Sequence, residues 1–184
     1  MQRRELLISA AVAGLPVLPA AAHTPYRQWD IFRKRYLQIL TSRTDLEGDA
    51  LGDQWVAALR EQLPLSRALV SRARDLVRIA SMLKTDQAKL ACLSYADAQA
   101  MFAGTPPFGE FMPMPLEALL DSSSHLLVTR QDLPLHHAYL IVAALMNEAN
   151  ALRLAVPLEG KFGMTLHRGA RSYAAGDKLE MPPQ

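Results

Sequence analysis

Residues 36–63 read YLQILTSRTDLEGDALGDQWVAALREQL. The run Tyr36–Leu40 has the length and apolar content of a short buried strand, and the polar stretch Thr41-Ser42-Arg43-Thr44-Asp45 ends it. After Gly48 the apolar positions change period. Leu51, Trp55, Ala58, Leu59 and Leu63 fall on one helical face, and Pro64 stops the pattern. A strand, a polar loop and a helix in that order form one βα unit.

The unit recurs downstream. Ala68-Leu69-Val70 predicts a brief strand, followed by Ser71-Arg72-Ala73-Arg74-Asp75 and a helix to about Thr85. That helix gathers Leu76, Ile79, Ala80 and Leu83, with Asp75 as its N-cap. A third strand, Lys89–Leu93, ends at Ser94-Tyr95, and the helix Ala96–Phe102 is terminated by Gly104. Alternation of this kind predicts an α/β fold with a mostly parallel sheet of about four strands flanked by helices. The fourth strand is His125–Thr129. It precedes the longest helix, Pro134 to about Leu152, with Asp132 placed to cap it. Met114–Leu120 fits a helix or a strand. The lobe spans 36–156, and the Gly- and Pro-rich tail 157–184 packs partly on it and ends as a loose arm.

Upstream, residues 1–22 (MQRRELLISAAVAGLPVLPAAA) have the order of an export signal: basic Arg3-Arg4, an apolar run Leu6–Leu18, and the small residues Ala20-Ala21-Ala22. As a helix that run spans only about 20 Å, short of a bilayer core of about 30 Å. The expectation is cleavage after Ala22 and a periplasmic location, with Arg3-Arg4 fitting either the general secretory or the twin-arginine route. Residues 23–35 read as an N-terminal arm. The mature chain would keep 162 of the 184 residues at a net charge of +1, with no dense basic face for nucleic acid. Its single cysteine, Cys92, lies in an apolar run and reads as a core residue.

In an open parallel sheet, ligands bind beyond the carboxyl ends of the strands. Three such ends carry hydroxyls and guanidinium groups: Thr41, Ser42, Arg43 and Thr44; Ser71 and Arg72; and Ser94 and Tyr95. These groups suit carboxylate or phosphate oxygens, or else they cap helices and satisfy loop backbone. The histidines His125, His136, His137 and His167 lack metal-ligand spacing, so neither metal nor cofactor is expected. Glu47 and Asp49 near Asp45 read as capping and dipole complementation. No nucleophile-elbow, phosphate-loop or dinucleotide motif is present, and the chain reads as a non-enzyme.

Two segments carry a resemblance. Leu126-Leu127-Val128, Arg130, Asp132-Leu133-Pro134, Tyr139 and Ala144-Leu145 match a strand and helix near the end of TAXI-type TRAP transporter solute receptors. Leu166-His167, Gly169-Ala170 and Tyr173 match the closing segment of that family, with Arg168 where a proline is expected. The N-terminal part is similar to the family's first βαβ units. The resemblance implies one lobe of a type II periplasmic-binding-protein-like fold. Such receptors have two lobes that close on a solute, and here the second is missing. Half the usual contacts would then come from a partner or a homodimer. The expected ligand is a small anionic organic solute. The alternative is a periplasmic accessory or assembly protein that binds a partner such as an exported redox enzyme.

Overall fold

The computed structural model describes residues 36–111, 114–160 and 163–179. The export signal 1–22 and the arm 23–35 lie outside the described residues. The strands are β1 (Gln38–Ser42), β2 (Leu69–Ala73), β3 (Leu90–Ser94), β4 (Leu116–Asp121), β5 (His125–Arg130) and β6 (Thr165–Leu166). The helices are α1 (Leu46–Gln62), α2 (Leu76–Lys84), α3 (Tyr95–Ala103), α4 (Leu135–Met146), α5 (Ala149–Leu152) and α6 (Arg168–Ala174). No helix among the described residues is long and apolar enough to cross a membrane.

The chain is α/β, but among the described residues its sheet has six strands rather than about four, and it is mixed. The order is β2-β1-β3-β5-β4-β6. β1 pairs in parallel with β2 and β3, and β4 with β6. β5 runs antiparallel to both β3 and β4. This reversal follows from the tight connection Ser122–Ser124, which joins β4 to β5 as a hairpin and leaves no room for a crossover. The stretch 114–120 therefore resolves as strand β4. Its Pro113 and Pro115 neighbours had hidden it.

Alternation along β1 divides the core in two. Ile39 packs with Trp55 and Leu59 of α1 and with Val142 and Leu145 of α4. Leu40 packs with Ile79 and Leu83 of α2 and with Ala98 and Met101 of α3. Both faces of the sheet are covered, and the central strands β1, β3 and β5 are accordingly near-continuous runs of buried residues. Cys92 is buried in the first of these cores.

Asp75 caps α2, accepting from Arg78 N at 2.7 Å. Asp132 does not cap α4, which has no side-chain cap at Pro134. Instead Asp132 pairs with Lys89 and Arg130 at the amino end of β3. Helix α4 was expected to run to about Leu152 and to be the longest; it has 12 residues and ends at Met146 before the separate turn α5, while α1 has 17. The tail supplies β6 and α6, whose Ala170 is fully buried against α4.

Candidate functional site

The carboxyl ends of β1, β3, the start of β5 and the end of β4 meet at one edge of the sheet. β1 connects to β2 on one side while its other neighbour is β3, so the strand order reverses at the β1/β3 border. Such a switch point is where open α/β sheets leave a crevice.

Two of the expected residue pairs sit differently from the sequence reading. Ser71 and Arg72 belong to the strand itself, paired with Leu40 and Thr41 of β1, and do not form a loop at its end. Thr41 and Ser42 are likewise the last residues of β1, and both are buried. Thr41 Oγ1 donates to Asp49 Oδ1 at 2.7 Å. Arg72 donates through Nε to Asp49 at 2.9 Å and through Nη2 to Asp53 at 2.6 Å. Burial alone would push the Asp49 carboxyl up, but the hydrogen bonds from Arg72 and Thr41 and the Arg72 charge hold it below the usual carboxylate range. Arg72 thus ties the edge strand to α1, and its guanidinium fork is occupied by carboxylates of this chain.

The hydroxyls at the other strand ends are also committed. Ser42 Oγ and Thr44 Oγ1 share a hydrogen bond of 2.7 Å. Ser94 caps α3, accepting from Asp97 N and donating to Asp97 Oδ2 at 2.6 Å. The Tyr95 hydroxyl donates to Asp121 Oδ1. Burial, reinforced by that acidic acceptor, pushes the Tyr95 phenol well above its ordinary range. Arg43 is exposed and, among the described residues, makes no ion pair; its backbone N–H bonds Ala73 O at 2.9 Å.

A group of residues outside the expected set binds this edge together. His125, at the start of β5, is buried. Its Nε2 lies 2.9 Å from Asp45 Oδ2, and its Nδ1 2.9 Å from Ser124 Oγ. Ser124 Oγ donates to Glu47 Oε1 at 2.7 Å. The succession Ser, His, Asp resembles a hydrolytic relay, but the only hydroxyl proton of Ser124 is directed at Glu47 and not at the ring. The arrangement is a clamp between the β4–β5 hairpin and the first turn of α1. Gly48 and Gly52 let α1 sit this close: a Cβ at Gly48 would lie 2.4 Å from Asp45 Oδ2, and one at Gly52 2.5 Å from Thr41 Cγ2. The signal for His125 in the sequence is a polar run, Asp121–Ser124, opening directly onto a buried strand. Its partner Asp45 is too distant along the chain for local spacing to reveal.

Asp45 also caps α1, accepting from Gly48 N at 2.9 Å. Replacing Asp45 by alanine removes a cap, worth about 1 kcal/mol. It also leaves a buried imidazole nitrogen without its partner, about another 1 kcal/mol or more. Urea unfolding should register a loss of about 2 kcal/mol, and wild-type stability in this variant would show that the clamp is idle.

Chemically, this edge offers Arg43 as a cation and Asp45, Glu47, Asp97 and Asp121 as acceptors. Burial, with the nearby carboxylates of Asp45, Glu47 and Asp49, pushes the Cys92 thiol far up, so it offers no thiolate. Among the described residues no group of three His, Cys, Asp or Glu side chains is arranged to hold a metal ion. No family model, no curated protein and no solved structure matches the chain.

Proposed function

We propose that this chain is an exported, single-lobe α/β binding domain related to the TAXI-type solute receptors of TRAP transporters, and that it binds a small anionic organic solute at the β1/β3 border. The observation that carries the reading is the switch point itself, where the loops after β1 and β3 open side by side on one edge. Among the described residues Arg43 is a guanidinium at that edge with no carboxylate paired to it, and the neighbouring carboxylates would accept from a hydroxyl or ammonium group of the solute. A single lobe leaves the solute's far side to a partner or to a second copy.

The test is a thermal-shift series on the mature chain against dicarboxylates, amino acids and other small anions. At a hundredfold excess over Kd, binding raises stability by about 2.7 kcal/mol, or about 5–10 °C in Tm for a domain of this size. The shift should disappear in Arg43→Ala and persist in Arg72→Ala, because the Arg72 guanidinium is already bound by Asp49 and Asp53. If the well-folded wild type responds to none of these solutes, the solute reading fails and the accessory-protein reading takes its place.

A further inference from the structure

The opposite edge of the sheet holds an open cleft of about 230 Å3, lined by Glu117, Gln131, Leu166, Arg168 and Arg171. It lies near the start of β4 and just beyond the end of β5. Register places it away from the β1/β3 crevice, because Leu90, the first residue of β3, pairs with Thr129 near that end of β5. The lining is polar and of mixed charge. Arg171 Nη2 donates to Glu159 Oε2 at 2.8 Å and to Leu166 O at 3.2 Å, which fixes its guanidinium at the rim. Glu117 is largely buried, and its Oε1 accepts from Thr165 Oγ1 at 3.4 Å. Arg168 is exposed and, among the described residues, has no ion-pair partner.

Arg168 is the informative residue. It is the first residue of α6, where proline or an acidic side chain is favoured and a cation opposes the helix dipole. A second arginine three residues on, at Arg171, adds repulsion on the same side of the helix. Helix energetics therefore give no reason for a guanidinium at 168. The backbone beneath it is rigid. His167 is fully buried, accepting from Gly169 N through Nδ1 and donating to Leu133 O through Nε2, both at 3.0 Å. The two arginines are thus presented over a cleft whose inner wall is a carboxyl group.

We propose that this cleft is a ligand site separate from the β1/β3 crevice, taking a small hydroxy- or amino-carboxylic acid. Its carboxylate lies between Arg168 and Arg171, and its hydroxyl or ammonium group donates to Glu117. The carboxylate is selected by the two guanidinium groups, Arg171 keeping its contact with Glu159, and the donor by Glu117, whose Oε1 otherwise accepts from Thr165 Oγ1 and whose Oε2 lies 3.7 Å from His167 Nε2.

The experiment is a titration of the mature chain with malate, succinate and inorganic phosphate, followed by the arginine Nε–H resonances in heteronuclear NMR. Malate should move the Arg168 and Arg171 signals saturably. Succinate, lacking the hydroxyl, and phosphate, lacking the reach to Glu117, should do so several-fold more weakly. Arg168→Ala should weaken malate by about tenfold or more, whereas Arg43→Ala should leave its affinity at this site unchanged. Signals of Arg168 and Arg171 that stay still at every concentration overturn the proposal, as does equal malate affinity in Arg168→Ala. Perturbation confined to Arg43 also overturns it while leaving the β1/β3 reading intact.

Discussion

Gly169→Ala should lower the Tm of the domain by about 10 °C, following from a cost of about 3 kcal/mol at a site that cannot relax. Helix α6 crosses α4 so closely that a Cβ at Gly169 would lie 2.6 Å from Leu135 O, 2.7 Å from Ala138 Cβ and 2.8 Å from Tyr139 N. Leu135 O and Tyr139 N are the two ends of one helical hydrogen bond. Neither can retreat without unwinding the first turn of α4, so α6 must move instead. That movement would loosen Ala170, which is fully buried, and the edge-on contact of Tyr139 with Tyr173, whose ring centroids are 5.8 Å apart. Gly109→Ala is the control. Its added Cβ would meet nothing closer than 3.5 Å, an ordinary contact, so its Tm should stay close to wild type. Circular dichroism melts of the two variants decide the matter, and a Gly169→Ala melt within a degree or two of wild type would mean that α6 contributes little to the fold.

What the sequence disclosed about this molecule follows from the range of the forces involved. The βα units from β1 to α3 were legible because period, caps and stops are local. Trp55 and Leu59 share a helical face, Asp75 sits one residue before α2, and Gly104 ends α3 in the left-handed region at φ 66°. β4 was legible only as a helix or a strand, and β6 was not legible at all. β4 follows two prolines and is stabilised by pairing with β5, and β6 is a two-residue strand paired with β4. The same division applies to the site. Hydroxyls at strand ends were visible as a class, but their commitments were not: Arg72 finds Asp49 and Asp53 on a helix that packs over its strand, and Tyr95 finds Asp121 across β5. The His125 clamp depends on β5 entering antiparallel between β3 and β4, which no local pattern announces. Asp132 shows the converse error, a good capping residue by position that is drawn away by Lys89 and Arg130.

His167 makes the domain sensitive to mild acid. Its Nδ1 faces the Gly169 N–H and its Nε2–H faces Leu133 O, so the buried ring is held as one neutral tautomer with no room for a second proton. Burial pushes its pKa below the ordinary 6.5; the Leu133 carbonyl partly offsets this, and the charges of Arg168 and Arg171 push it lower again. Well above pH 6.5 the imidazole is neutral in the folded and the unfolded chain alike, and its linkage to folding vanishes. As pH falls through 6.5 the unfolded chain takes up a proton that the folded chain refuses. The unfolded state then binds more protons, and stability declines until the lower folded-state pKa is reached. His137, lowered by burial and by His136, adds a loss of the same sign. Glu117, whose pKa burial raises above its ordinary 4.5, contributes a change of the opposite sign. His137 is unchanged in His167→Asn, whereas Glu117, whose Oε2 lies 3.7 Å from His167 Nε2, loses that neighbour, so comparison with wild type isolates His167 in the upper part of the pH range, where Glu117 stays ionised. Asparagine keeps the cap, since its Oδ1 can accept from Gly169 N, but it leaves Leu133 O without its donor. The variant should be about 2 kcal/mol less stable near neutral pH, and the gap should narrow as pH falls from about 7.5 to about 5. Urea unfolding across that range reads the effect directly. Parallel stability profiles for the two proteins would defeat it, because a ring that contributed only packing would cost the same at every pH.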